Sequence, residues 1–195
     1  MSCVRASMGA LITTLTEYEE RECIDIATAT YNRHRAYDKA RGYAFANNNN
    51  KIANPEKDLL TEIRVTCGEK VVTKYFPRLE WHALHDFRKG CPDIGSFIDV
   101  KTPDQQPGRP ARHLIAYDSQ IVRDWAYVLV LPCGKRRFAV MGWAWGRELA
   151  AAPIKSFQVG RPAHYLPATK PPLYEICHLQ LIASWRREYG TQALA

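Results

Sequence analysis

The stretch "WAYVLVLPCGKRRFAVMGW", Trp125 to Trp143, constrains the fold more than any other part of the chain. Trp125–Pro132 is a near-continuous apolar run. A run of that length bounded by a proline reads as a buried strand, because a strand covered on both faces loses the alternation of a half-exposed one. "CGKRR" supplies a turn built on Gly134, and "RFAVMGW" reads as the strand returning from it. Other elements must therefore cover this hairpin.

A helix is predicted from Asn54, a good cap, with Pro55 at the first helical position. Leu60, Ile63, Cys67, Val71 and Tyr75 recur at steps of three and four and form one apolar stripe, down to about Phe76. Gly68 interrupts this helix at some cost. It reads either as a close approach to a neighbouring strand or as a break. Tyr18–Tyr43 also reads as helical, and "NNNNK" from Asn47 as a short loop.

The remaining segments are shorter. "LEWHALHDF" from Leu79 and "SFIDVKT" from Ser96 read as strands. "GRPARHLIAYDSQ" from Gly108 reads as irregular or briefly helical. "AWGRELAAA" reads as a short helix stopped by Pro153, followed by a loop rich in Pro, Lys and Arg to Pro172. The last segment packs Leu179, Ile182 and Trp185, most simply as a helix. The order of elements predicts an α/β fold, a mixed central sheet flanked by helices with an N-terminal helical extension. A chain of 195 residues is expected to form one domain: 1–53 the extension, 54–175 the core, 176–195 a C-terminal helix.

Composition narrows the function. No apolar run approaches the ~18 residues of a membrane span. The N-terminus lacks the apolar core of a signal peptide and soon turns acidic, so a cytoplasmic protein is expected. The six cysteines form no C-x-x-C pair, and in a chain of this size they read as reduced thiols. The net charge of +7 favours a polyanionic partner, through release of counterions from its phosphates.

The chemistry is concentrated in "CPDIGSFIDVKTP", Cys91 to Pro103. Strand side chains alternate, so Asp99 and Lys101 share one face while Ile98 and Val100 point to the core. Asp93 lies six residues before Asp99, across a bend that Gly95 would permit. Two carboxylates brought together repel each other unless a cation neutralises them. Magnesium takes oxygen ligands and is commonly held by one or two carboxylates plus substrate phosphates, and manganese is a possible substitute. Lys101 is placed to act on a metal-bound water or to stabilise charge on a phosphate. The plainer alternative is a surface ion pair, Asp99 with Lys101, beside an ordinary turn at Asp93.

The sequence P-D at Pro92–Asp93, a short gap, then D-V-K at Asp99–Lys101, resembles the signature of the PD-(D/E)xK nuclease superfamily, the restriction-endonuclease-like fold. "CGEKVVTKYF" resembles the helix that adds a glutamate to the metal site in that family. "DWAYVLVLP", "RFAVMGWAWGRELA" and "HYLPATKPPL" resemble the second half of phage and bacterial members. The resemblance covers roughly Leu59 to Leu173. It implies a magnesium-dependent deoxyribonuclease in which Asp93, Asp99 and Glu69 hold metal and Lys101 is the catalytic lysine. Glu69 lies nearly opposite the apolar stripe, on the same helix face as Glu62, so Glu62 competes for the role of the helix acid.

Lys135, Arg136 and Arg137 crowd the hairpin tip, and with Arg109, Arg112 and Arg161 they are candidates for gripping DNA phosphates. Surface solubility explains any one of them equally well. His82, His85 and Cys91 lack a fourth ligand for zinc. No Walker-type loop is present. Two rivals to the nuclease stand: a catalytically silent nucleic-acid-binding protein on the same fold, and a protein-interaction module such as a phage inhibitor. A basic cleft continuous with Asp93 and Asp99 would favour the nuclease, and a flat apolar patch the interaction module. Sequence does not decide the oligomeric state.

Overall fold

In chain order the elements are strands β1 (Val4–Arg5) and β2 (Leu11–Thr14), helices α1 (Glu17–Ala40) and α2 (Pro55–Thr73), and strands β3 (Ile98–Lys101) and β4 (His113–Ala116). They continue with β5 (Ala126–Gly134), β6 (Arg137–Trp145), α3 (Gly146–Ala150), β7 (Ile154–Gln158), β8 (Arg161–Pro167) and α4 (Ile176–Tyr189). This is a computed structural model. It describes residues 4–5, 10–40, 55–83, 91–103, 113–158, 161–167 and 173–190.

The β5–β6 hairpin is the centre of a five-stranded sheet ordered β1-β2-β6-β5-β3. β3 runs parallel to β5 and the other pairings are antiparallel, so the sheet is mixed, as expected. Alternate residues of β5 serve two cores. Ala126, Val128 and Val130 face α1, α2 and α4, where they meet Cys23, Cys67, Val71 and Leu179. Tyr127, Leu129 and Leu131 face the other way, against Leu114, Leu149 and Leu166. That second core is roofed by a smaller sheet ordered β4-β8-β7. Burial on both sides accounts for the unbroken apolar run in β5.

The two long helices are tied at their ends. Thr16 and Glu19 cap α1 reciprocally: the Thr16 N–H donates to Glu19 Oε2 at 2.7 Å and the Glu19 N–H to Thr16 Oγ1 at 3.2 Å. Glu19 Oε2 also accepts from Lys74 Nζ at 2.8 Å, just past the end of α2. Among the described residues no helix is long and apolar enough to cross a membrane.

Four expectations need correction. The N-terminal segment holds α1, but two strands precede it, and β2 joins the central sheet on the open side of β6. The segment expected to be irregular contains β4, paired with β8. The expected loop after Pro153 contains the β7–β8 hairpin; Pro162 and Pro167 sit near the ends of β8, where a missing N–H costs least. Leu60, placed in the buried stripe of α2, is 54% exposed, because the helix meets the core only from its third turn, at Ile63, onward. The segment from Leu79 to Phe87 contributes one bridge, Trp81 to Ile94; residues 84–87 lie outside the described ones.

Candidate active site

Among the described residues β3 is the last strand of its sheet, so one edge of its backbone has no partner strand there. The chain before it folds back along that edge. Gly95 adopts φ +59°, a conformation that favours glycine, and Ile94 then pairs with Ile98. Trp81 bridges the other side of Ile94, with the His82 N–H donating to the Asp93 carbonyl at 2.9 Å and the Gly95 N–H to the Glu80 carbonyl at 2.7 Å. This fold-back delivers the Asp93 side chain to β3, where its Oδ2 accepts the Val100 N–H at 2.5 Å. The bend inferred from Gly95 thus exists.

On β3 the alternation holds. Ile98 and Val100 are buried in the helix-side core. Asp99 and Lys101 project to the other face, beside Tyr127 and Leu129 of β5. Lys101 Nζ lies 2.7 Å from Asp99 Oδ1 and 5.7 Å from the centre of the Tyr127 ring. Both charged side chains are partly exposed, Asp99 the less so. Burial works against the Lys101 ammonium, but the charge and hydrogen bond of Asp99, then the charge of Asp93, outweigh it and raise its pKa above the ordinary lysine value. Lys101 therefore keeps its proton.

The third acid comes from α2. An added Cβ at Gly68 would lie 2.0 Å from Thr102 Oγ1, so only glycine lets the helix come this close to the end of β3. The neighbouring Glu69 is buried as a result, although a helical wheel places it opposite the apolar stripe. Gly68 is an approach and not a break, since α2 continues to Thr73. Trp81 Nε1–H donates to Glu69 Oε2 at 3.0 Å. Burial first, then the charge of Asp93, push the Glu69 carboxyl well above its ordinary range; the Trp81 hydrogen bond opposes them, and Glu62 and Asp99 add to the rise. Glu69 thus lies within the electrostatic reach of both aspartates. Glu62, seven residues earlier on the same helix face, acts on it as a further negative charge.

All these donors are carboxylate oxygens, the donor type that hard dications such as magnesium take. The charge they concentrate also fits a cation. Their present orientations do not enclose one: Asp99 turns to Lys101 and Asp93 to the Val100 N–H. Among the described residues, no group of three or more His, Cys, Asp or Glu side chains is placed to hold a metal ion.

The candidate DNA contacts are distributed differently. Arg109 and Arg112 lie outside the described residues, as do His85 and the two glutamines after β3, Gln105 and Gln106, whose sequence reads as a solvent loop or as a contact to the metal water or DNA; the Arg161 side chain is not described. Lys135 and Arg137 are exposed at the hairpin tip. Arg136 is engaged within the fold, its Nη1 2.9 Å from Glu17 Oε1 and its Nε 4.0 Å from Glu20 Oε2, in the first turn of α1. Lys101 pairs with Leu129, and Gly134 is five residues further along β5, roughly 16 Å at strand rise. The hairpin tip is therefore remote from the acids. His82 Nε2 sits 2.8 Å from the Gly95 carbonyl oxygen, where it braces the bend.

Three residues of the site escaped sequence reasoning: Trp81, Thr102 and Tyr127. Trp81 carried one general signal, that a buried indole N–H needs an acceptor. Tyr127 is the single polar side chain in the apolar run of β5. Its hydroxyl accepts the Val122 N–H and donates to the Gln120 carbonyl, each at 2.8 Å. Compared with known proteins, the chain matches no family model, no curated protein and no solved structure.

Proposed function

We propose that this protein is a magnesium-dependent nuclease of the PD-(D/E)xK type, hydrolysing DNA phosphodiester bonds in the cytoplasm. The observation that carries this reading is the gathering of Glu69, Asp93 and Asp99 around one edge strand, with a charged lysine beside Asp99. Three separate devices bring them there: the glycine approach of α2, the Gly95 bend, and the alternation of β3. A bound magnesium ion would supply Lewis-acid polarisation of the phosphate and an activated water.

The chain's own groups divide the remaining work. Lys101 keeps its proton, so its role is to stabilise negative charge that develops on the phosphate, and not to accept a proton. Burial first, and then the negative charge of Asp93, raise the pKa of Glu69, so a bound cation would favour its ionised form. Trp81 holds the Glu69 carboxyl in place from the side.

Calorimetric titration with magnesium and manganese tests the metal site. Weak binding is expected, lost in Asp93→Ala and in Asp99→Ala. It should be accompanied by proton release that Glu69→Gln abolishes. Unchanged binding in both aspartate variants would remove the site. A second reading, a nucleic-acid-binding protein that does not cleave, draws on the pairing of Asp99 with Lys101 and of Asp93 with the Val100 N–H. In that reading both contacts are structural.

A further inference from the structure

A groove of about 230 Å³ lies between the chain leaving α2 and the outer face of α4. It is distinct from the acid cluster, and among the described residues no carboxylate lines it. Phe76, Leu79 and Ala183 give it an apolar floor, while Arg78, Ser184 and Arg187 bring polar groups to it. Gln180 Nε2 donates to the Tyr75 carbonyl at 2.9 Å and so fixes α4 to the end of α2. Both arginines are exposed, and neither has a carboxylate partner among the described residues.

Two guanidinium groups that share one groove repel each other, and among the described residues no counter-charge lies between them. An anion is the natural complement, and its class follows from charge and shape. A carboxylate or a phosphodiester carries one negative charge and leaves one guanidinium uncompensated. A phosphomonoester carries about −1.5 to −2 at neutral pH and presents three acceptor oxygens. That matches two planar donor forks, with the Ser184 hydroxyl available as a further donor. The groove is smaller than the roughly 300–1,000 Å³ of pockets that enclose a whole drug-sized ligand. It suits the phosphate and adjoining part of a larger molecule, whose apolar surface would rest on Leu79 and Ala183.

We propose that this groove binds a phosphomonoester, gripped by Arg78 and Arg187, and nucleotides are the probes that test it. Two sources share that chemistry: a free nucleoside monophosphate and the 5′-phosphorylated end of a strand. The proposal does not depend on the nuclease reading, and its test is made in EDTA, without cleavage.

Isothermal titration would use adenosine 5′-monophosphate against adenosine, and a 5′-phosphorylated single-stranded oligonucleotide against its 5′-hydroxyl form. Binding that requires the phosphate is expected, weakened at least tenfold in Arg78→Gln and in Arg187→Gln. Both side chains are exposed, so both variants should melt like the wild type. Phosphate-dependent binding of the mononucleotide assigns the site to free nucleotides. A gain seen only with the phosphorylated oligonucleotide assigns it to strand ends. Equal binding with and without the phosphate in both pairs would overturn the proposal, and so would unchanged affinity in the double variant Arg78→Gln/Arg187→Gln.

Discussion

Gly68→Ala tests the approach of α2 to β3 on which the candidate site depends. In an open helix this substitution stabilises by about 1 kcal/mol, from propensity alone. Here the new Cβ would lie 2.0 Å from Thr102 Oγ1, 3.1 Å from Thr102 Cβ and 3.2 Å from Thr102 Cγ2. Threonine is stiff at χ1, two of its three staggered rotamers place a heavy atom in that space, and Thr102 Cβ itself stays at 3.1 Å. Helix and strand must therefore separate, and overpacking of this kind costs roughly 1–3 kcal/mol or somewhat more. Net of propensity, a loss of about 0–2 kcal/mol is expected, or a fall in Tm of up to roughly 8 °C for a chain of this length. Thr102 Oγ1 is buried without a hydrogen-bond partner among the described residues, so Thr102→Ala removes the obstacle without breaking a hydrogen bond. Urea unfolding of the wild type, both single variants and the double variant closes the cycle. A coupling of at least ~1 kcal/mol is expected, above the ~0.3–0.5 kcal/mol scatter of independent sites. If Gly68→Ala stabilises the protein, or the coupling vanishes, the helix does not meet the strand here.

Glu69 has its pKa raised on folding, so the stability associated with its neutral form is present at low pH and lost as pH climbs from the ordinary glutamate range through the raised value. Glu69→Gln should flatten that decline in urea midpoints measured between about pH 4 and 8; parallel profiles for variant and wild type would show that Glu69 titrates normally. Arg136→Ala should cost at most ~1 kcal/mol, as expected of partly exposed ion pairs. By fluorescence polarisation at low salt it should lose less DNA affinity than Lys135→Ala or Arg137→Ala, because Glu17 and Glu20 already engage its charge. An equal or larger loss would show that Arg136 leaves those partners for DNA.

The legible parts of this fold were those set by local periodicity. The β5–β6 hairpin announced itself because burial on both faces leaves an apolar run between turn residues. Asp99 and Lys101 could be placed on one face because the period of a strand is two. Gly95 signalled its bend because so few residues tolerate its backbone conformation. What depends on distant partners stayed hidden. A helical wheel sorts residues by direction but not by depth, so it could not show that Gly68 draws Glu69 into the interior. β2 has four residues, and it is a strand because β6 offers it an edge. The prolines of β8 read as loop until their positions near the strand ends are known. Trp81 lies twelve residues from the glutamate it bonds, with no pattern linking them. Arg136 looked like a free basic tip because its partners come from the start of the chain.

Cleavage of plasmid DNA in magnesium, with EDTA as control, tests the central claim most directly when wild type is compared with Lys101→Met. The variant keeps the length of the side chain and loses the charge beside Asp99. One lost phosphate contact is a small part of the electrostatic total, so DNA affinity should hold nearly constant. Cleavage should require magnesium and fall by about a hundredfold or more, the scale of removing one preorganised charge-stabilising group. Equal cutting by both proteins would make Lys101 half of a structural ion pair and contradict the account. Tight binding by a wild type that never cuts would contradict it as well, and would establish the silent binder in its place.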